Sequence, residues 1–173
     1  MFSHFQRLVK HLWLDASDTQ RAVGQAAVLR LTEGVAASER QHSGEIRIFV
    51  EAGLPLPYLL RHSSTASLVR QRALCLFGEL RIWDTAGNNG VLIYLLLAER
   101  KIEIVADRGL NDLVDAATWQ SLVKRMSGAF ATGRFEEGLT EALAAVSSLL
   151  EQHFPLASGQ STPNELPDTP VLR

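Results

Sequence analysis

The fold of this chain is decided by the stretch DTAGNNGVLIYLLLAERKIEIVADRGL, Asp84 to Leu110. Within it, Val91 to Leu97 is an unbroken apolar run with β-branched and aromatic members, and it has the length of a strand rather than a helix. Such a run is typical of a strand that is buried on both faces. It therefore predicts the middle strand of a sheet.

The second half of the stretch alternates in polarity. After the polar break Glu99-Arg100, residues 101–107 place Ile102, Ile104 and Ala106 on one side and Lys101, Glu103 and Val105 on the other. This alternation predicts a half-exposed strand, and the short polar connection predicts an antiparallel hairpin. In such a pair the start of one strand lies beside the end of the other. We therefore expect the flanking loops, residues 84–90 and 107–112, to meet at one edge of the sheet.

The rest of the chain carries helical patterns around one further strand. Ile46, Ile48 and Val50 alternate with Arg47 and Phe49, which predicts a first strand over residues 45–51. A polar, proline-bearing stretch, residues 53–67, is interpreted as a crossover loop. Apolar spacing of three and four residues predicts helices over residues 2–14, 20–41, 67–83, 112–133 and 135–153, with Asn111 or Asp112 as the cap of the fourth. In an alternative interpretation, residues 79–83 form a strand.

These elements predict an α/β fold in which a small mixed β-sheet, with the antiparallel hairpin at its centre, lies between helices in a three-layer α/β/α arrangement. We expect three regions: an N-terminal amphipathic helix over residues 1–16, one domain over residues 17–153, and a C-terminal tail over residues 154–173. The tail is rich in Pro, Ser, Gly and Thr. Because it has little apolar surface to offset its ordering entropy, we expect it to be disordered.

Composition excludes several classes of protein. A net charge of -2 and a pI near 6.2 argue against binding nucleic acid through its phosphates. The single cysteine, Cys75, has no partner for a disulfide or a metal site and is expected to be a small buried helix residue. The sequence has neither a signal-peptide pattern nor the roughly twenty apolar residues of a membrane span. We therefore expect a cytoplasmic protein.

The N-terminal helix is amphipathic. Apolar residues at helical spacing are Phe2, Phe5, Leu8, Val9, Leu12 and Trp13, and polar residues opposite them are Gln6, Arg7, Lys10 and His11. Such a helix could cover the core of its own domain or lie on a membrane surface, which would place the protein peripherally at the inner membrane. We favour the first interpretation, because a terminal helix that covers its own core uses the same pattern.

The hairpin and its surroundings resemble the TPM domain family, often labelled the TPM phosphatase domain. The resemblance covers residues 17–153 and rests on segments 42–47 (HSGEIR), 73–83, 89–94 (NGVLIY), 100–105 (RKIEIV), 108–110 (RGL) and 130–138. It implies an α/β sandwich with a divalent-cation site, usually for calcium, at one sheet edge. It also implies a weak acid phosphatase activity and a role in assembling or repairing membrane complexes.

The expected site is built from oxygen-bearing side chains of the two loops. Ca²⁺ and Mg²⁺ prefer carboxylate and amide oxygens, and the candidate ligands are Asp84, Asn88, Asn89, Asp107 and Asp112. Their spacing does not match an EF-hand, so the site must be assembled from separate loops. Asn88 departs from the family, which often has an acid before the Asn-Gly pair. Without a site, Asn89 and Gly90 would occupy a turn of positive φ and Asp112 would cap a helix.

Catalytic motifs are missing from the sequence. It contains no Asp-x-Asp pair, HExxH pair or GxSxG elbow, and its one CxxxxxR spacing, Cys75 to Arg81, falls inside the helix predicted over residues 67–83 rather than in a loop. We therefore favour a binding module that engages a protein partner, with a metal-assisted phosphatase as the alternative. In that alternative Asp84 or Asp107 would position water, and Arg108 would steady the phosphate.

Overall fold

The computed structural model describes residues 2–157 and 159–173, with side chains from residue 7 onward. The helices in chain order are α1 (Phe2–Leu12), α2 (Ala16–Val23), α3 (Gln25–Ser38), α4 (Leu56–Leu59), α5 (Thr65–Glu79), α6 (Arg108–Asn111), α7 (Ala116–Ala131) and α8 (Phe135–His153). The strands are β1 (Ile46–Glu51), β2 (Val91–Leu96), β3 (Lys101–Ala106) and β4 (Val171–Leu172). A short 3₁₀ turn, Leu97–Glu99, joins β2 to β3.

The four strands form one mixed sheet in the order β3-β2-β1-β4. β2 pairs antiparallel with β3, with Leu92 opposite Val105, and parallel with β1, with Ile48 opposite Ile93. Every residue of β2 is buried. The predicted hairpin and the central position of its first strand are therefore confirmed.

Helices cover both faces of the sheet. On one face, alternate side chains of β1 and β2 pack with α3, α7 and α8 in a core that includes Ile48, Ile93 and Phe130. On the other face, Tyr94 and its neighbours pack with α5 residues such as Leu76. Two apolar cores separated by one sheet are the three-layer α/β/α arrangement that the sequence predicts.

Two predicted helical segments have different limits in the structure. The helix expected over residues 20–41 is divided at Gly24, whose φ of 75° lies in the left-handed region that favours glycine. The helix expected after Asn111 or Asp112 begins only at Ala116, where Asp115 caps it by accepting the N–H of Thr118. The strand considered for residues 79–83 is absent from this described part of the chain, because the chain turns there with Arg81 at a φ of 55°.

The C-terminal segment also differs from the prediction of disorder. β4 extends the sheet by pairing with β1, and the N–H of Arg173 donates to the carbonyl oxygen of Val50 over 2.9 Å. Arg47 donates to the carbonyl oxygens of Pro167 and Thr169. The expectation of a disordered tail is wrong for this segment, because main-chain pairing and a buried arginine hold it and neither depends on its own apolar content.

Candidate functional site

The two loops that flank the hairpin meet at one end of the sheet, as expected. The N–H of Asp107 donates to the carbonyl oxygen of Gly90 over 2.9 Å, and the N–H of Gly109 donates to the carbonyl oxygen of Asn88 over 2.9 Å. Between the loops lies a pocket of about 370 Å³, lined by Trp83, Asp84, Thr85, Asn88, Asp107 and Arg108. We call it the sheet-end pocket.

Close backbone approach shapes this end of the sheet. A Cβ on Gly90 would lie 2.1 Å from the carbonyl oxygen of Ile82, and a Cβ on Gly109 would lie 2.5 Å from that of Asn88. The residue with positive φ in this loop is Asn88, at 49°, rather than Asn89 or Gly90. Asparagine tolerates that conformation better than most residues. The backbone conformation therefore explains why glycine occupies positions 90 and 109 and asparagine occupies position 88.

Asp107 is the candidate ligand with an available oxygen. It caps α6, and its Oδ1 accepts the N–H of Arg108 over 2.7 Å. Its Oδ2 is buried and has no hydrogen-bond partner. A buried carboxylate oxygen without a partner loses its hydration without replacement. This oxygen therefore suits a ligand that carries positive charge.

The other two candidates in the pocket are already engaged. Asp84 is 47% exposed and its Oδ2 accepts from Nη2 of Arg81 over 2.6 Å. The side-chain oxygen of Asn88 accepts from Nη2 of Arg108 over 2.8 Å. A metal ion that used these oxygens would have to compete with two guanidinium groups.

Asn89 and Asp112 lie outside the pocket lining. Asn89 is fully buried, and its Nδ2 donates to the carbonyl oxygen of Ser43 over 3.1 Å while its N–H donates to Oγ1 of Thr85 over 3.2 Å. It therefore fastens the loop to the segment before β1. Asp112 is exposed and ends α6, with its N–H donated to the carbonyl oxygen of Arg108.

The donor set fits a weakly held hard cation better than a tight metal centre. Among residues 2–157 and 159–173, no three His, Cys, Asp or Glu side chains are grouped so that they could hold a metal ion. The sheet-end pocket offers two carboxylates and one amide oxygen, and a hard cation takes six to eight oxygens. Water and main-chain carbonyls would have to complete its coordination.

A second and larger pocket, of about 660 Å³, lies along β3 beside α7. Its lining includes Ile104 and Ala106 of the strand and Trp119 of α7, whose Nε1 is buried without a hydrogen-bond partner. Arg70 donates to the carbonyl oxygen of Ile104 over 2.8 Å at the same edge. No candidate residue in the sequence pointed to this pocket, because it depends on β3 being an edge strand.

Two acids with raised pKa values, the partly buried Glu39 and the buried Glu45, were also unforeseen. Burial raises the pKa of Glu39 to about 8, although its Oε1 accepts the N–H of Ile46 over 2.9 Å. Burial likewise raises the pKa of Glu45, whose Oε2 accepts the N–H of Leu166 over 2.9 Å. Glu45 contacts the C-terminal segment through Leu166, which is 121 residues away, so local sequence offered no signal for its environment.

Comparison with known proteins agrees with this architecture. Residues 17–149 match the family model of the TPM domain. The chain belongs to the TPM domain family. A solved structure similar to this TPM domain is that of the BA42 protein from the psychrophilic bacterium Bizionia argentinensis, with 26% identity, a TM-score of 0.70, and coverage of 84% of this chain and 92% of that one. No curated protein matches the chain.

The resemblance stated from the sequence is therefore confirmed at the level of the family. The matched segment includes the sheet-end pocket and β1 to β3, whereas α1 and β4 lie outside it. Among the described residues, no helix is both long enough and apolar enough to cross a membrane.

Proposed function

We propose that this TPM domain is a binding module that holds a divalent cation, Ca²⁺ or Mg²⁺, in the sheet-end pocket. The observation that supports the proposal is the buried Oδ2 of Asp107, which has no hydrogen-bond partner in a pocket shared with Asp84 and Asn88. A cation there would replace the hydration that this oxygen loses on folding.

The affinity is expected to be low. Arg81 and Arg108 already engage the oxygens of Asp84 and Asn88, and Asn88 is neutral where the family often has an acid. Fewer carboxylates weaken a calcium site, so we expect a dissociation constant of about 1 mM. The site would respond to cation concentration rather than hold a permanent metal.

The test compares melting temperatures in 10 mM Ca²⁺ or Mg²⁺ with those in NaCl of equal ionic strength. At ten times the dissociation constant, binding stabilises the folded state by about 1.4 kcal/mol. For a chain of this size we expect a rise of roughly 3–5 °C. Asp107→Asn should abolish the rise, whereas Asp112→Asn, the same change outside the pocket lining, should preserve it. An unchanged melting temperature for the native protein contradicts the proposal.

A weak phosphatase is the second candidate, because the sheet-end pocket also holds the guanidinium of Arg108 beside Asp107. Arg108 would bind a phosphoryl oxygen, and Asp84 or Asp107 would hold the attacking water. A bound cation would polarise the phosphoryl group. Turnover of an aryl phosphate should disappear in an Asp84→Ala, Asp107→Ala double variant. Turnover that persists unchanged does not come from this pocket.

For a protein partner, we propose the outer edge of β3, where an incoming strand would replace the bond from Arg70 to the carbonyl oxygen of Ile104, in keeping with a role in the assembly or maintenance of membrane complexes. Because Asp107 and Gly90 form a hydrogen-bonded pair, the antiparallel register turns the main-chain groups of Ile102, Ile104 and Ala106 away from β2. An extended segment of another protein could pair with these groups beside the larger pocket.

Ala106→Pro tests this edge. The substitution removes an outward N–H and leaves the ladder to β2 intact, which is the position where an edge strand tolerates proline. A partner captured by the native protein should be lost with the variant, while the variant keeps its melting temperature within about 3 °C. Equal capture by both proteins contradicts this placement.

A further inference from the structure

α1 is held against the domain by its polar side. The guanidinium of Arg7 donates to the carbonyl oxygens of Leu59, Arg61 and Ser63 over 3.4, 3.2 and 3.2 Å. These carbonyls belong to α4 and the residues that follow it. Three bonds from one guanidinium fix the helix beside this segment.

His11 provides the second attachment of α1. It is buried, and its Nδ1 accepts the N–H of Leu54 over 2.9 Å, so its Nε2 carries the proton and donates to Oε1 of Glu99 over 2.9 Å. Lys10 reaches the same carboxylate at 3.7 Å. Arg7 and His11 of α1 therefore face the domain, and Leu8 packs against the core of that face of the sheet, as expected for a helix that covers its own domain.

The opposite side of α1 presents apolar side chains to solvent. Arg7 and His11 are four residues apart and share one stripe, and Val9 and Trp13, also four apart, lie on the other side with Leu12 next to them. Trp13 continues the last turn, since its N–H donates to the carbonyl oxygen of Val9 over 3.1 Å. Leu12 is 64% exposed and Trp13 is 84% exposed. The C-terminal half of this attached helix thus presents Val9, Leu12 and Trp13 to solvent.

The neighbouring α4 segment also exposes apolar residues. Leu56 and Leu60 are 50% and 61% exposed, and the bonds from Arg7 hold α1 beside them. We call the set Val9, Leu12, Trp13, Leu56 and Leu60 the α1 face. Exposed apolar residues concentrated on adjoining segments mark an interaction surface, whereas single ones are ordinary.

Charge identifies what this surface would meet. The segments that build it, residues 1–14 and 52–64, contain Arg7, Lys10 and Arg61 and no Asp or Glu, in a chain whose net charge is -2. Glu99, which lies outside these segments, compensates the charge of Lys10, and the segments carry two further positive charges, Arg7 and Arg61. A second copy of the chain would bring these like charges together. An anionic lipid surface offers opposite charge, an apolar layer for the leucines, and the interfacial environment that tryptophan prefers.

We propose that the α1 face docks this TPM domain on the surface of an anionic lipid bilayer, with α1 lying parallel to the membrane plane. Because Arg7 and His11 hold α1 on the domain, the exposed apolar residues are already in place, and docking needs no change of fold. The interaction does not depend on a cation in the sheet-end pocket, so it can be tested with EDTA present.

The experiment is cosedimentation of the full chain with vesicles of phosphatidylglycerol and phosphatidylcholine, or of phosphatidylcholine alone, at low salt in EDTA. The two further cations of these segments, Arg7 and Arg61, should favour the mixed vesicles by about tenfold. A Leu12→Ser, Trp13→Ser double variant should lose about tenfold or more of this binding, because it removes the exposed apolar anchors. Leu113→Ser is the matched control, since it changes a similarly exposed leucine beyond the other end of the sheet and should leave binding unchanged.

The proposal is overturned by absence of binding to either vesicle, by equal binding to both, or by unchanged binding of the double variant. Circular dichroism and thermal melting check that the variants are folded, and both keep Arg7 and His11. Sedimentation of the protein without lipid tests whether a second copy of the chain, rather than a membrane, covers the α1 face. A dimer of the native chain that becomes monomeric in the double variant would assign the α1 face to a second copy instead.

Discussion

Replacement of Arg72 by methionine should destabilise the protein more than the loss of any surface ion pair. Nε and Nη2 of Arg72 donate to the carboxylate oxygens of Glu51 over 3.0 and 2.8 Å, and Tyr94 donates its hydroxyl to Oε2 of the same residue over 2.7 Å. The Arg72 and Glu51 side chains are only 4% and 3% exposed. Burial raises the pKa of Tyr94, so its hydroxyl stays a donor. This network joins α5 to β1 and β2.

The size of the expected loss of stability follows from the Glu51 charge that stays buried when Arg72 is removed. Arg72→Met keeps the apolar stem but leaves the Glu51 carboxylate buried with one remaining donor, and breaking a buried pair from one side costs about 3–5 kcal/mol. A Glu51→Gln, Arg72→Met double variant removes the charge and keeps an acceptor for Tyr94. We expect it to lose only about 1–2 kcal/mol relative to the native protein.

Urea unfolding followed by circular dichroism at pH 7 measures these differences for the native protein, both single variants and the double variant. The decisive comparison is between Arg72→Met and the double variant, which should be the more stable by about 2–3 kcal/mol. If the two are equally stable, or if Arg72→Met lies within about 1 kcal/mol of the native protein, the buried charge is not what makes the network sensitive.

Three further outcomes are expected. Burial raises the pKa of Glu39 from 4.5 to about 8, so its neutral form stabilises the folded state. This stabilisation decreases as the pH rises above 4.5 and is lost once the pH has passed about 8. Between pH 5 and pH 8 the free energy of unfolding measured with urea should fall by about 2 kcal/mol more for the native protein than for Glu39→Gln, allowing for partial exposure, while Glu45 adds the same slope to both. Equal slopes for the two proteins would contradict this assignment to Glu39. Gly90→Ala should lower the melting temperature by roughly 6 °C or more, because its Cβ would meet the carbonyl oxygen of Ile82. The control Gly78→Ala, at an open helical position, should leave the melting temperature equal or higher. Similar losses in both variants would contradict the packing explanation. Arg47→Met should increase hydrogen exchange in β4, and unchanged protection there would show that strand pairing alone holds it.

Local patterns of polar and apolar residues were sufficient to predict the hairpin and the last helix. The apolar run from Val91 placed β2 in the middle of the sheet, and helical spacing gave α8 its observed limits, residues 135–153. The juxtaposition of the two loops followed from antiparallel geometry, because a hairpin brings the start of one strand beside the end of the other. For the candidate site, this geometry indicated the sheet end and included Asp84, Asn88 and Asp107 among the five candidates.

The amino-acid sequence by itself thus determined the hairpin, the layers of helices and the end of the sheet where a site could lie, since periodicity and turn chemistry act over a few residues. Tertiary structure alone decided that Arg108 engages the side-chain oxygen of Asn88 while Oδ2 of Asp107 has no partner. It also decided that β4 pairs with β1 and that Leu12 and Trp13 at the end of α1 face solvent. These outcomes depend on contacts between distant segments, because main-chain pairing and guanidinium bonds leave no periodic pattern in the sequence.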